Sequence, residues 1–178
     1  MKLSKSAFTL IEMLISVSIL SIMIIFLYKS YADLNNSNII FMKEKERIKK
    51  YQAIKKVLFL DFTKKLSDIK ILNQDTDIDI VFFKTSNSLH KRYDPYIGYV
   101  VNNGILYRLE SLKEITRYPL PNDIDFTVDK IGKVKLFRVY KKSKKSKDNT
   151  TITDVSYIID MKLDAYEKIL YKISPLDL

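Results

Sequence analysis

Residues 8–28 read FTLIEMLISVSILSIMIIFLY, an apolar run with one acid, Glu12, close to its start and with Lys2 and Lys5 ahead of it. As a helix rising about 1.5 Å per residue the run is roughly 31 Å long, which matches the hydrocarbon core of a bilayer. The run is therefore expected to span a membrane. A carboxylate inside a span costs several kcal/mol unless it is neutralised, so Glu12 needs either an opposite charge or an escape toward the headgroups.

Three fates of the segment can be told apart. A secretory signal peptide would use Lys2 and Lys5 as its charged region and Ser30-Tyr31-Ala32 as its small-x-small cleavage site, releasing a soluble product. The apolar run exceeds the usual signal core of about 7–15 residues and carries an acid near its start, which counts against that fate; a plain uncleaved anchor is the second fate, of similar weight.

The third fate follows from the letters at the junction, Lys5-Ser6-Ala7-Phe8-Thr9-Leu10-Ile11-Glu12. A basic leader, an aromatic residue, Thr-Leu-Ile and a Glu ahead of a full span resemble the prepilin leader of type IV pilins and type II secretion pseudopilins. The resemblance implies a cut by a membrane peptidase between Ala7 and Phe8, methylation of the new terminus at Phe8, and a role for Glu12 in subunit assembly. The family normally has Gly before the cut; Ala7 is the next smallest side chain. After cleavage the Phe8 amine is a positive charge, with Glu12 one turn away at roughly 6 Å along the axis. When subunits stack with an axial offset, the Glu12 of one can meet the amine of its neighbour, and each neutralises the other where a lone charge is heavily penalised.

The chain has 178 residues and a formal charge of +10, which falls to +8 once Lys2 and Lys5 leave with the leader. Lysine is spread along the whole chain, which reads as compositional bias more than as a focused anion site. There is no cysteine, so disulfides and thiol chemistry are excluded. Lys2 and Lys5 favour a cytoplasmic amino terminus, with Lys29 acting against them on the far side. Catalytic motifs are missing: the single histidine, His90, lies among Lys91 and Arg92, and three glycines are too few for a phosphate-cradling loop or a nucleophile elbow. Asp75, Asp77 and Asp79 alternate as in the opening of a calcium loop, but Ile80 and Ser86 stand where Gly and the closing Glu belong. No metal or cofactor is expected. Lys141, Lys142, Lys144, Lys145 and Lys147 form the densest charge and read as a solvated loop. Their alternative is an anion-binding tip aided by Tyr93, Tyr96, Tyr99 and Arg108, for which nucleic acid is the candidate partner.

No Gly or Pro precedes Pro95, which permits one long helix. Tyr51, Ile54, Leu58, Phe62, Leu66 and Ile69 recur at spacings of three and four, with lysines on the other side, so the helix is expected to run on to Ile69 with an amphipathic end. Asn35, Asn36, Ser37 and Asn38 compete with helical hydrogen bonding and predict a frayed turn or bend. Strands are expected over residues 79–83, over 96–101 and 105–110 as a hairpin about Asn103-Gly104 that pairs Val101 with Leu106 and Val100 with Tyr107, over 124–128 and 134–140 joined near Gly132, and over 155–163.

The expected architecture is α+β: a long amino-terminal transmembrane and amphipathic α-helix packed on an antiparallel β-sheet, as in pilins. Its parts are a leader at 1–7, a span at 8–28, a helix continuation at 29–70 and a β-rich domain at 71–178. YVVNNGILYR at 99–108, Leu120-Pro121 and FRVY at 137–140 after a long helix resemble the J-type minor pseudopilin. That resemblance implies a non-enzymatic tip subunit of a type II secretion pseudopilus, anchored in the inner membrane with its domain in the periplasm. Its partners would be other minor and major pseudopilins, the prepilin peptidase and methyltransferase, the membrane assembly platform and lipid. The alternative is a minor pilin of a type IV pilus or DNA-uptake filament.

Overall fold

A computed structural model describes residues 9–73, 75–115, 117–121, 124–145, 152–164, 166 and 168–176; of residues 144, 145 and 152–154 it describes the backbone only. The chain divides into two compact units, Met1–Lys50 and Tyr51–Leu178. One helix, α1 (Leu10–Thr63), begins in the first and ends in the second.

In the first unit α1 is helical throughout. Its most apolar 18-residue window has a mean hydropathy of 2.6, and none of that window is buried within the chain, so the helix is long and apolar enough to cross a membrane. The hydroxyls of Ser16, Ser18 and Ser21 donate to the carbonyls of Glu12, Leu14 and Val17, each at 2.8 Å. Each of these three hydroxyls is thereby satisfied within its own helix. The frayed turn expected at Asn35–Asn38 is not found: the helix is continuous through these residues. Asn and Ser cost only a few tenths of a kcal/mol each in a helix interior, and with no Gly or Pro nearby an established helix simply propagates through them.

The second unit joins the end of α1 to an antiparallel sheet of seven strands: β1 (Lys70–Asn73), β2 (Asp79–Lys84), β3 (Tyr96–Asn102), β4 (Ile105–Ser111), β5 (Phe126–Lys145), β6 (Ile152–Leu163) and β7 (Lys168–Ile173). Every strand pairs with its neighbours in sequence, so the order in space is the order in the chain. The β3–β4 hairpin turns at Asn103 and Gly104, whose φ values of 50° and 70° are those a two-residue turn requires. It holds the expected register, Val101 opposite Leu106 and Val100 opposite Tyr107.

Two strands were expected on either side of Gly132, and one continuous strand is found. Up to Lys133, β5 pairs with β4; from Val134 onward it pairs with β6, with register shifts on both sides of the exchange. Gly132 allows the close passage, since a Cβ there would lie 3.3 Å from Leu163 Cδ2. The sheet curls enough for Phe137 of β5 to bridge Ile78, its N–H donating to the Asp77 carbonyl at 2.9 Å.

The concave side of the curl holds the main core, into which α1 inserts Leu58 and Phe62, both fully buried. The Phe62 ring centroid is 4.9 Å from that of Phe83, 6.1 Å from Tyr99 and 6.4 Å from Tyr157. Tyr51 and Ile54 are half-buried against the same cluster, with Tyr51 stacked on Tyr166 at 5.1 Å. Leu66 and Ile69 are not helical, because α1 stops at Thr63 and not near residue 70. Past that point the backbone turns to bond along β2, with Leu66 N–H donating to the Lys84 carbonyl at 2.7 Å and Ser86 N–H to the Lys64 carbonyl at 3.0 Å. Ile69 still reaches the core from this connection, whereas Leu66 is 38% exposed. The last turns of α1 thus belong to the sheet unit, which begins at Tyr51 and not at residue 71.

A second cluster, Ile80, Phe82, Val100, Leu109 and Ile115, lies on the opposite side of β2–β4, with Leu120 and Ile124 packed over it. Gly98 is needed there for lack of a side chain. An added Cβ would sit 2.9 Å from Phe82 Cε1, a buried ring with no slack. Gly98→Ala is expected to cost about 1–3 kcal/mol by overpacking, read as a lower urea midpoint with unchanged slope.

Candidate functional site

The first turn of α1 is built around Thr9 and Glu12. Thr9 donates from its N–H and its hydroxyl to Glu12 Oε2, each at 2.8 Å, and Glu12 N–H donates back to Thr9 Oγ1 at 3.4 Å. This is a capping box: the N-cap hydroxyl takes one orphan amide of the first turn, and the acid three residues on takes the amide of the N-cap itself. The carboxylate also lies at the positive end of the helix dipole. Glu12 therefore has a local anchor, and its second carboxylate oxygen has no hydrogen-bond partner among the described residues. Ala7 and Phe8, the expected cut and methylation residues, lie outside the described residues.

Residues 2–28 match the prokaryotic N-terminal methylation motif. The prepilin-type leader read from the junction is thus found by its own family model, covering the leader and the apolar part of α1 and none of the sheet. No curated protein matches the chain. The methylation motif supports membership of the pilin and pseudopilin group, whose subunits are structural parts of filaments, processed by prepilin peptidase and assembled with other pilins. The candidate site is accordingly the Phe8–Glu12 end of the motif, carried by a helix whose apolar surface is unburied within its own chain.

Away from the motif, the largest concentration of polar chemistry lies inside the sheet unit, where the residues gave no warning of it. Arg108 of β4 is fully buried and joins two fully buried acids. Its Nε and NH2 donate to Asp61 of α1 at 2.7 and 3.2 Å, and NH1 donates to Glu110 at 2.7 Å. The Tyr99 hydroxyl donates to Asp61 at 2.6 Å, and Asn87 Nδ2 donates to it at 2.6 Å. Burial pushes the Tyr99 phenol well up, and the Asp61 charge adds to this, so Tyr99 stays protonated and donating. Burial works against the Arg108 charge, but bonding to Asp61 and Glu110 outweighs it and keeps the guanidinium charged. Tyr99 and Arg108 are therefore unavailable to the anion-binding tip considered from sequence.

Glu110 allows a pH test. Burial alone would raise its carboxyl, yet hydrogen bonds from Ser88, Arg108 and Leu89 hold it below the ordinary glutamate range. A folded-state pKa below the unfolded one means stability that is complete above about pH 4.3, the unperturbed value, and lost as pH falls through the folded pKa. The melting temperature of the sheet unit is expected to drop on acidification below about pH 4. Glu110→Gln should be less stable at neutral pH and lose less over the same interval; parallel curves for the two proteins in circular-dichroism melts would remove the assignment.

His90 sits at the surface with Nε2 2.9 Å from Asp129 Oδ2. Asp79 does not face outward with Asp75 and Asp77: it is buried, accepts from Val139 N–H at 2.9 Å and pairs with Arg138 at 3.2 Å. No group of three or more His, Cys, Asp or Glu suited to a metal occurs among the described residues. Lys141 and Lys142 are exposed near the end of β5, with Lys141 3.7 Å from Asp68. Lys147 and the side chains of Lys144 and Lys145 lie outside the described residues. Two features escaped the sequence reading. The Thr9-x-x-Glu12 box was legible as a capping signature ahead of an apolar run. Asp61 carried no signal, since it lies 47 positions from Arg108 within an otherwise helical pattern.

Proposed function

We propose that this chain is a minor pseudopilin, a tip or initiation subunit of a type II secretion pseudopilus, non-enzymatic and assembled through its amino-terminal helix. The observation that carries the reading is the methylation motif at residues 2–28 running straight into α1. Beyond the apolar segment, residues 29–50 keep Leu34, Ile39, Phe41 and Ile48 exposed within the unit, among lysines and glutamates, which is the surface that helix neighbours in a filament would cover. On this reading Phe8 and Glu12 carry assembly, and the protein stands in the bacterial inner membrane with its amino end cytoplasmic and its sheet unit periplasmic. Tyr51, Ile54, Leu58 and Phe62 serve by fixing the sheet unit on the helix, and the sheet unit chooses neighbours.

A second reading, a minor pilin of a type IV pilus or DNA-uptake filament, draws on the exposed Lys141 and Lys142. Intact mass spectrometry of the native protein tests what both readings share. Loss of the first seven residues with a methyl added to Phe8 is expected; an unprocessed Met1 or a cut after Ala32 overturns both. Deletion of the gene separates them, since failure of protein secretion with intact piliation and DNA uptake supports the pseudopilin.

A further inference from the structure

The connection between β2 and β3, residues 86–94, is held in place by the buried charges beneath it. Glu110 accepts from Ser88 Oγ at 2.5 Å and from Leu89 N–H at 3.0 Å. Ser88 Oγ in turn accepts from His90 N–H at 3.2 Å and from Arg92 N–H at 2.8 Å. Asn87 is gripped from both sides, donating to Asp61 and accepting from Arg108 at 3.3 Å. The Arg92 guanidinium reaches the Glu110 carbonyl and Thr127 Oγ1, both at 2.8 Å. So many bonds hold Lys91 and Asp94 at φ values of 58° and 42°, a region that residues with a Cβ seldom occupy. Strain of this kind persists only where the surroundings over-determine it, and it clusters at active sites, ligand clamps and switch regions.

What this loop presents is specific. Tyr93 is 88% exposed, and Leu89 and Lys91 are exposed beside it. Asp61 and Glu110 face Arg108 inside, Asp129 pairs with His90 at the surface and Asp94 of the loop is half-buried, while Lys91 is exposed and Lys64, Lys65 and Lys84 flank the loop half-buried, so cations outnumber acids around it. An aromatic anchor with an aliphatic neighbour and a cationic surround suits a protein surface with an acidic rim. A loop already in its bound shape loses little entropy on docking.

We propose that the 86–94 loop is a preformed docking surface on which Tyr93, Leu89 and Lys91 engage an acidic protein partner, with Glu110 and Ser88 as its positioning residues. The inference goes beyond the filament reading and stands whether or not Phe8 is methylated. To test it, benzoylphenylalanine replaces Tyr93 in the full chain, or Tyr140 of β5 as a control, and the cells that make the protein are irradiated. The expected result is a protein adduct at position 93 and not at 140, mapped by mass spectrometry to an acid-rich segment. Its yield should fall by about tenfold in both Glu110→Gln and Ser88→Ala backgrounds, as expected for a loop that must be ordered before it docks. Ser88→Ala removes no buried charge and keeps the test open should Glu110→Gln fail to fold. No adduct at 93, the same adduct at 140, a segment without acids, an adduct digested by nuclease, or an undiminished yield in folded variants overturns the proposal.

Discussion

Glu12→Gln is expected to enter the membrane normally and to be missing from filaments. On the proposed filament reading the side chain has two physical roles, the observed cap and the proposed inter-subunit charge, which alanine would remove together and glutamine separates. Glutamine at the third helical position still accepts from the N-cap amide, so the capping box that Thr9 forms with Glu12 survives. The charge does not survive, and with it goes the partner proposed for a neighbouring subunit's terminal amine. An ammonium left alone in a low-dielectric setting costs about 3–5 kcal/mol, enough to lower incorporation more than a hundredfold. Thr9→Ala performs the reverse experiment: it takes away the cap at about 1 kcal/mol, leaves the charge, and should assemble near normally. The measurement is the ratio of sheared-filament to membrane-bound protein by immunoblot. Wild-type incorporation of Glu12→Gln, or a larger defect in Thr9→Ala, would show that the acid serves only the cap.

The second large effect is expected from Asp61→Ala. Arg108 would then be a buried guanidinium left with Glu110 at 2.7 Å and, more distantly, Asp129 at 3.5 Å, and Tyr99 and Asn87 would each lose the acceptor they donate to. Removing one member of a buried ion pair costs about 3–5 kcal/mol, a large fraction of what a domain of this size possesses. The same rule says that the pair itself is not worth that much. Asp61→Leu combined with Arg108→Met and Glu110→Gln, which withdraws the three buried charges together, should recover a good part of the loss. Urea titrations of the full chain in detergent, followed by tyrosine emission because the chain has no tryptophan, would report both values. A loss under about 1 kcal/mol in Asp61→Ala would mean that the network is far wetter than its burial indicates.

Legibility in the sequence followed the range over which each feature is encoded. The Asn103-Gly104 hairpin was read to the residue because turn chemistry and alternation agree within ten positions. The apolar run and the Thr-Leu-Ile-Glu junction were read for the same reason. β5 was divided wrongly because Gly132 and the change of pairing partner interrupt its alternation, although the backbone runs through without a break. The four residues of β1 are too few to show a period, and β7 was overlooked although Ile169 and Ile173 both reach the core. The end of α1 was placed beyond Thr63 because Ile69 continues the apolar spacing while belonging to a different element that reaches the same core. The Asp61, Arg108 and Glu110 cluster could not be seen, because its geometry exists only once the curl of the sheet brings β4 beneath the helix end.

Strand order has a consequence for how such a chain acquires its shape. In the ladder each of the seven strands pairs only with the ones made just before and just after it, and the bonds from β5 back to Asp77 and Asp79 close the curl on strands already paired. A meander of this kind can ripen hairpin by hairpin as it emerges, amino end first, from a ribosome or a translocation pore. The element left waiting is the helix end, since Phe62 is synthesised early yet meets Tyr157 almost a hundred residues later. Until β6 arrives, that greasy knob has no complete socket, which makes the interval between them the stage at which a holding chaperone would have most to do.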